Sequence, residues 1–218
     1  MSDQSGSLAN TRATYDRVAE EYAARIAGEL AGKPLDRALL RCFVEQVGGL
    51  GVIADVGCGP GHVAAYLHDL GAPVVGVDLS PEMVALAQQH SPEIAFEQGS
   101  MLALAAPDAS WGGIVALYSI IHLPPEERPR ALAEFHRALR PGGLLLLAFH
   151  IGDEQRHVDE WWGQEVSLDT WFLQPREIET LLREAGFTVE MSLVRQPYAP
   201  DVEHQSQRAY ILARKPAE

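Results

Sequence analysis

Residues 55–61 read DVGCGPG and stand between the apolar run GVIA and the segment HVAAYLHDL. Three glycines, Gly57, Gly59 and Gly61, alternate at the point where a strand is expected to give way to a helix. Glycine adopts backbone conformations that other residues avoid and lets a ligand approach the main chain. The stretch therefore predicts a binding turn, for which nucleotides, dinucleotides and other adenosine compounds are candidate ligands.

This turn fits a dinucleotide-binding loop poorly. The dinucleotide fingerprint is G-x-G-x-x-G, and its third glycine allows a helix to pack closely on a strand. Here His62 occupies the third glycine position, and Pro60 removes a backbone N–H that a pyrophosphate could use. No tyrosine is followed four residues later by a lysine, as a short-chain reductase would require. The sequence therefore argues against NAD.

Two further polar residues follow apolar runs that are typical of strands. Asp78 ends PVVGVD, seventeen residues after Gly61, and a carboxylate there can accept hydrogen bonds from both hydroxyls of a ribose. His122 lies in YSIIHLPP just after another apolar run, and histidine titrates near neutral pH. Because ligands of open α/β sheets gather at the carboxyl ends of the strands, we expect both side chains at one site.

Alternating segments position these residues. Short apolar runs, expected to be strands with helices between most of them, cover 51–56, 73–78, 94–98, 112–119 and 143–150. Continuously apolar strands are typical of a parallel sheet covered on both faces. Residues 187–195 and 208–214 have no helix between them and are expected to pair as an antiparallel hairpin at the sheet edge. The predicted fold class is α/β: a doubly wound, Rossmann-like, mostly parallel seven-stranded sheet with an antiparallel C-terminal hairpin.

We expect one domain over residues 1–218, because the sequence shows no repeat and no low-complexity segment. Residues 1–10 are polar and are expected to form a disordered leader. Residues 11–47 show two amphipathic helical patterns. Residues 151–174, rich in acidic residues and tryptophan, are expected to form a lid or insertion.

Composition narrows the class of function. The formal net charge of −13 disfavours a nucleic-acid partner, since phosphate binding depends on lysine and arginine. No apolar run is long enough to suggest a membrane span, and no secretory signal is apparent. Cys42 and Cys58 follow no metal-binding pattern and are expected to be reduced thiols. A cytoplasmic enzyme or binding protein fits best, and the oligomeric state stays open.

The pattern of Asp55, Gly57, Gly59 and Gly61 resembles the first motif of the class I S-adenosylmethionine-dependent methyltransferases, an acidic residue followed by G-x-G-x-G. The order of elements over about residues 10–215 is also similar to that family's sheet with its reversed final strand. The resemblance implies that the turn binds the amino-acid part of S-adenosylmethionine, which has no phosphate. Asp55 would accept from the ligand's ammonium, and its alternative role is to hold the amides of the turn.

The resemblance implies further cofactor contacts. The acidic residue that matches Asp78 binds the ribose in the family. Other implied contacts are Cys58, Leu79, Ser100, Met101 and Leu117, together with Met83, which could cover the adenine or equally belong to the core. Gly99-Ser100 departs from the common Gly-Asp of the family, so a hydroxyl stands in for the carboxylate near the adenine amino group. Trp111-Gly112 likewise departs from the common Phe-Asp.

The first helix carries Tyr15 and Tyr22 on or near one face. In similar small-molecule methyltransferases this N-terminal region, here 11–47, covers the cofactor site. Aromatic hydroxyls there contact the cofactor's carboxylate or the substrate, so both tyrosines are candidate cofactor residues. An ordinary amphipathic helix would show the same spacing.

The acceptor is expected near His122, because methyl transfer from a sulfonium needs mainly alignment and exclusion of water. His122 is the candidate general base for a hydroxyl acceptor, with pocket lining or a buried structural role as alternatives. The other candidate substrate residues are His150 at the end of the fifth strand and His157, Trp161 and Trp162 in the lid. The alternative for the lid is a solvated acidic loop with its tryptophans packed on the core. The spacing of its histidines matches no strong metal signature, and no metal is expected.

Three functions compete on the sequence. The leading one is transfer of a methyl group from S-adenosylmethionine to a small-molecule acceptor, with S-adenosylhomocysteine as the other product. The second is methylation of protein or RNA side chains, which the acidic charge disfavours for RNA. The third is a protein that binds S-adenosylmethionine without transferring the methyl group, since a binding loop alone does not fix a reaction.

Overall fold

The computed structural model describes residues 4–217, which contain nine strands and six α-helices. The strands are β1 (Ile53–Val56), β2 (Val74–Asp78), β3 (Ala95–Gln98), β4 (Trp111–Leu117), β5 (Leu139–His150), β6 (Gln155–Trp161), β7 (Gln164–Trp171), β8 (Thr188–Arg195) and β9 (Arg208–Arg214). The helices are α1 (Gln4–Ile26), α2 (Pro34–Val47), α3 (His62–Asp69), α4 (Pro81–His90), α5 (Arg128–Ala138) and α6 (Pro175–Glu184). None of these helices is both long and apolar enough to cross a bilayer.

Seven strands form the central sheet in the order β3-β2-β1-β4-β5-β9-β8. The first five strands of the chain are parallel, and β9 is antiparallel to both β5 and β8. This confirms the predicted fold class, including the antiparallel C-terminal pair. The chain leaves β1 towards one edge of the sheet and returns to β4 on its other side, so a crevice opens at the carboxyl ends of β1 and β4.

The apolar strands are buried on both faces of the sheet. In β5, Leu145 and Leu147 belong to the core that contains Phe135 of α5, whereas Leu144 and Leu146 face the cluster built around α2. All four leucines are at most 2% exposed. Burying a leucine contributes roughly 1.5–3 kcal/mol, which explains why these strands have no polar alternation.

The N-terminal residues differ from the prediction of a disordered leader. Helix α1 already begins at Gln4, so residues 4–10 are helical, while residues 1–3 lie outside the described part of the chain. Leu8 packs against a small core cluster that includes Leu102 and Leu123. The Asn10 amide donates a hydrogen bond to Ser167 Oγ at 3.3 Å. These long-range contacts stabilise the first turns of α1, whose polar sequence does not by itself predict a helix.

Most of the segment 151–174, predicted as a lid or insertion, is an antiparallel hairpin made of β6 and β7. The hairpin packs against α1: Thr14 Oγ1 donates to the carbonyl of Ser167 at 3.2 Å, and the Ser167 amide lies 3.3 Å from the same hydroxyl. Arg17 also donates to the carbonyl of Glu165. We call α1 and the β6–β7 hairpin together the cap.

Candidate active site

The glycine turn joins β1 to α3, and all three glycines have a positive φ: 78° at Gly57, 53° at Gly59 and 84° at Gly61. A Cβ at Gly57 would lie 2.3 Å from the Cβ of Ser119, and one at Gly61 would lie 2.9 Å from the Phe96 ring. At Gly59 the nearest atom, on the Tyr22 ring, would be 3.7 Å away. Packing therefore requires glycine at the first and third positions, whereas the second leaves the backbone open on one side.

We predict that Gly57→Ala destabilises the protein by about 3 kcal/mol, because it combines a positive φ with a clash against Ser119. Gly71→Ala is the matched control, since Gly71 has a φ of 88° and no atom within 4 Å of a Cβ. The control should lose only about 1 kcal/mol. Urea denaturation followed by circular dichroism measures both values. Equal losses in the two variants would show that the Ser119 contact adds nothing.

Asp78 connects the glycine turn to α4. Its Oδ2 accepts a hydrogen bond from the Gly59 amide at 2.7 Å, and its Oδ1 accepts from the Ser80 amide at 2.9 Å. Ser80 caps α4 as predicted, because its Oγ accepts from the Met83 amide at 3.1 Å. Burial raises the pKa of Asp78, while the two amides oppose that shift. A carboxylate has about four acceptor positions, so Asp78 retains capacity for a ligand's hydroxyls.

Asp55, at the end of β1, is 2% exposed. Within residues 4–217, no group forms a hydrogen bond to its Oδ2. Burial raises the pKa of Asp55 to about 7, although nearby His62 opposes the shift. A buried carboxylate oxygen without a donor is costly for the protein alone and suits a ligand that brings its own positive donor.

Two adjoining cavities open at the crevice, one of about 90 Å³ and one of about 370 Å³. The sequence-predicted residues in the smaller cavity are Tyr15, Tyr22, Gly57, Gly59, Asp78, Leu79, Ser100, Met101, Leu117 and His122. The larger cavity adds Asp55, Cys58, His150 and Trp161 from the predicted set. Residues of both cavities are Tyr15, Tyr22, Gly57, Gly59, Leu117, Tyr118 and His122. The structure thus brings most of the predicted residues together at one site.

Four predicted residues do not line either cavity. Gly61 faces Phe96 and the core, and Met83 is 1% exposed on the inner side of α4, which is the core alternative stated for it. His157 lies at the surface of β6, where its two ring nitrogens are 2.8 and 3.1 Å from aspartate side chains. Trp162 is 37% exposed beside the guanidinium of Arg25. The packing of α4 places Met83 in the core, and His157 points away from the cavity because its neighbour in β6, Val158, lines it.

His122 is held between the cap and the sheet. Its Nδ1 lies 3.0 Å from the carbonyl oxygen of Asp169, on the hairpin. A carbonyl only accepts, so Nδ1 carries the proton and Nε2 is the bare nitrogen. The Tyr15 hydroxyl, 2.8 Å from Nε2, therefore donates to it. Burial lowers the pKa of His122, so the ring is neutral and its Nε2 can accept a proton.

Aromatic rings of the cap close the larger cavity. Tyr15, Tyr22 and Trp161 contact one another edge to face, with ring centroids 5.5 to 5.8 Å apart. Trp162 stacks on the outer side of Trp161 at 4.7 Å. Such pairs contribute about 0.5–1.5 kcal/mol each beyond simple burial. The cap therefore places aromatic rings where the two cavities meet.

The sequence did not predict a buried cluster of charged residues beside the larger cavity. Its members are Lys33, Asp36, Arg195, Glu203 and Arg208, with Tyr118 and Tyr210 packed among them. Arg195 and Arg208 stand in strands of a covered sheet, where a charge must find a partner. That position is the signal that could have revealed the cluster. Its carboxylates come from α2 and from the β8–β9 connection, which sequence order does not link.

The comparisons with known proteins agree with this geometry. Residues 53–143 match the family model of the methyltransferase domain. Over 96 residues the chain is 38% identical to demethylmenaquinone methyltransferase of Chlorobaculum parvum, an alignment that covers 44% of this chain and 39% of that relative. The chain spans 39% to 53% of the length of the first three curated relatives that it matches.

Two solved structures share the fold at low sequence identity. A complex of DhpI with SAH has a TM-score of 0.76 and 21% identity, covering 98% of both chains. Magnesium protoporphyrin IX methyltransferase of Synechocystis PCC 6803, with bound SAM, has a TM-score of 0.73 and 18% identity, covering 96% of this chain and 97% of the other. The family match supports the class I S-adenosylmethionine-dependent methyltransferase that the motif from Asp55 to Gly61 predicted, and the two solved structures show the same fold.

Proposed function

We propose that this protein transfers a methyl group from S-adenosylmethionine to a small-molecule acceptor. The observation that carries the proposal is the position of His122, a neutral histidine of defined tautomer that lines both the cavity of the glycine turn and the larger cavity beside it. A cofactor cavity and an acceptor cavity that share one base provide the alignment that methyl transfer requires.

The residues of the smaller cavity, together with Asp55 of the larger cavity, fit the cofactor. Asp78 is assigned to the ribose hydroxyls, and Ser100 and Met101 to the adenine end. Asp55, with its unpaired Oδ2, is assigned to the ammonium of the amino-acid part. Gly59 leaves its backbone open beside them. No role is assigned to Met83, whose side chain is in the core.

When bound, S-adenosylmethionine supplies a methyl group on a positively charged sulfur, which departs as S-adenosylhomocysteine. For a hydroxyl acceptor, His122 and Tyr15 handle the proton that the acceptor oxygen loses as it gains the methyl group. Tyr15 already donates to Nε2, so it passes its own proton to His122 and takes the acceptor's proton in exchange. The Asp169 carbonyl keeps Nδ1 protonated throughout and stabilises the resulting imidazolium.

The dimensions and charge of the site favour a small acceptor. A cavity of about 370 Å³ under an aromatic cap has the volume of a small-molecule pocket rather than of a polymer groove. The formal net charge of −13 disfavours RNA. Demethylmenaquinone methyltransferase and magnesium protoporphyrin IX methyltransferase are named for small molecules. We also place the enzyme in the cytoplasm, which suits its two free thiols, Cys42 and Cys58.

The test uses purified protein, S-adenosylmethionine labelled on its methyl group and a host-cell extract separated into small molecules, protein and RNA. We expect label in the small-molecule fraction and none with Asp78→Ala. Label in protein or RNA would replace the proposal by the second function. S-adenosylhomocysteine binding without transfer to any fraction, across extracts of several growth conditions, would indicate a non-catalytic binding protein. Absence of S-adenosylhomocysteine binding by the wild type would refute the proposal altogether.

We predict that S-adenosylhomocysteine binding strengthens as the pH rises from 6 to 8. Asp55 has a pKa of about 7 in the ligand-free protein, so it must lose its proton before it can pair with an ammonium. The affinity should increase about 10-fold over this range. Calorimetry at three pH values measures it. Asp55→Asn should bind weakly at every pH, and Asp69→Asn, on the exposed end of α3, should behave as the wild type. Wild-type affinity in Asp55→Asn would leave Asp55 a purely structural role.

A further inference from the structure

Arg208, on β9, is 2% exposed and lines the larger cavity. Its Nη1 donates to the carbonyl and the hydroxyl of Ser206, at 2.8 and 3.1 Å. Its Nε is 3.0 Å from Glu203 Oε2 but forms no hydrogen bond within the described chain. A buried guanidinium has five donors, and here only those on Nη1 have acceptors of good geometry. Because Nε is buried against Glu203, the donors on Nη2 are the ones available to an acceptor group on a ligand.

The neighbouring carboxylates are already engaged by Arg195. Both oxygens of Glu203 pair with its guanidinium, and Glu203 Oε1 also accepts from the Tyr198 amide at 2.6 Å. Asp36 lies 3.2 Å from Arg195 and accepts from the Tyr210 hydroxyl at 2.7 Å. Glu203 therefore interacts with both arginines, but it is hydrogen-bonded to Arg195 and not to Arg208.

Lys33 adds a second cation on the same wall. The Lys33 ammonium lies 5.8 Å and the Arg208 guanidinium 5.5 Å from the centroid of the Tyr118 ring. The Lys33 side chain is 5% exposed, and its ammonium donates to Glu29 at 2.6 Å. Tyr118, with a φ of 55°, lines both cavities. Both cations thus border the larger cavity close to the same aromatic ring.

The pKa of His150 is sensitive to the charged side chains at this end of the cavity. Its pKa is lowered to about 3, first by burial and then by the positive charges of Arg208 and Lys33, while Glu203 opposes the shift. His150 is therefore neutral, and its Nδ1 is 2.7 Å from Ser206 Oγ. The pKa of His204, which borders the same cavity, is also lowered, by burial and by Arg156 and Arg208. Arg208 thus lies close enough to lower the pKa of both histidines at this end of the cavity.

We propose that the acceptor carries an oxyanion, a carboxylate or a phosphate-type group, that binds Arg208 in the larger cavity with Lys33 beside it. The atom that is methylated lies apart from this oxyanion, at the Tyr15–His122 pair where the two cavities meet. The donors on Nη2 can form charge-assisted hydrogen bonds to such a group, which gives orientation as well as affinity. This inference rests on the proposed function, because it names the class of acceptor for that site.

The experiment uses the intact protein saturated with S-adenosylhomocysteine and measures binding of benzoate, benzamide and inorganic phosphate by calorimetry. Benzoate has a flat ring for the aromatic cavity and a carboxylate for Arg208, and benzamide has the same shape without the charge. We expect benzoate to bind about 10- to 100-fold more tightly than benzamide. Binding of phosphate but not of benzoate would assign the oxyanion to the phosphate type. Equal binding of benzoate and benzamide, or no binding of either oxyanion, would overturn the inference.

Arg208→Gln should reduce benzoate affinity to that of benzamide, and Arg208→Lys should recover part of it. Arg156→Gln is the matched control, because Arg156 is an exposed arginine that faces His204 and does not line the cavity. S-adenosylhomocysteine affinity within about two-fold of wild type shows that each variant is folded. If Arg208→Gln weakens S-adenosylhomocysteine itself 10-fold or more in a folded protein, Arg208 serves the cofactor and the inference fails. If the wild type binds no S-adenosylhomocysteine, the proposed function fails first.

Discussion

Replacing His122 by glutamine should lower kcat for a hydroxyl acceptor by about 10²- to 10³-fold, which lies within the usual contribution of a positioned general base. S-adenosylhomocysteine affinity should stay within about two-fold of wild type. The kcat should fall because Nδ1 of His122 donates its proton to the Asp169 carbonyl, which leaves Nε2 as the ring nitrogen that can accept a proton. Initial rates with methyl-labelled S-adenosylmethionine and the labelled small molecule measure the loss.

Two further variants separate proton transfer from packing at His122. Tyr15→Phe keeps the ring contacts with Tyr22 and Trp161 but removes the hydroxyl that donates to Nε2. It should reduce kcat to a similar extent if the proton passes through Tyr15. His68→Gln, on the exposed surface of α3, should have no effect. Full activity of His122→Gln would assign this histidine to pocket lining alone.

The pH profile gives an independent readout of His122. Burial lowers its pKa, so the neutral ring that accepts a proton persists below the ordinary titration range of histidine. Under saturating cofactor and acceptor, kcat should therefore hold its plateau below pH 6.5, and fall only under more acidic conditions. A decline that is half complete at pH 6.5 would contradict the neutral, buried state of this ring.

Asp78→Ala should weaken S-adenosylhomocysteine binding by about 100-fold or more. Two hydrogen bonds from ribose hydroxyls to a carboxylate are worth roughly 1.5–3 kcal/mol each, and every 1.4 kcal/mol is a factor of ten. The variant also deprives the Gly59 and Ser80 amides of their acceptor, so the turn itself is less well held. Calorimetry measures the affinity, and Asp69→Ala on the surface of α3 is the matched control.

Thermal unfolding distinguishes the two roles of Asp78. Loss of the amide bonds alone should lower Tm in the ligand-free protein without a 100-fold effect on affinity. Loss of the ribose contact should also abolish the increase in Tm that saturating S-adenosylhomocysteine produces in the wild type. A variant that binds with unchanged affinity would remove Asp78 from the cofactor site and leave it as a connector between the turn and α4.

The sequence determined the features that depend on local pattern. The strands were predictable because both faces of the sheet are covered, so that the two sides of β5 are equally apolar. Ser80 was predictable as the cap of α4, since the hydroxyl and the amide it accepts from are three residues apart. The glycine turn and Asp78 were predictable because strand ends fix their position along the chain.

Only the tertiary structure decided which side chains meet at the site. Tyr15 and His122 are 107 residues apart, and their contact depends on how α1 and the hairpin pack over β4. The His122 tautomer is defined by the backbone carbonyl of Asp169. Every residue has such a carbonyl, so the sequence does not show which one His122 contacts. Met83 lies in the core and His157 at the surface because helix rotation and strand alternation decide orientation. The charged cluster around Arg208 required the edge strands to be paired before its members became neighbours, and pairing across such distances is set by the packing of the whole chain.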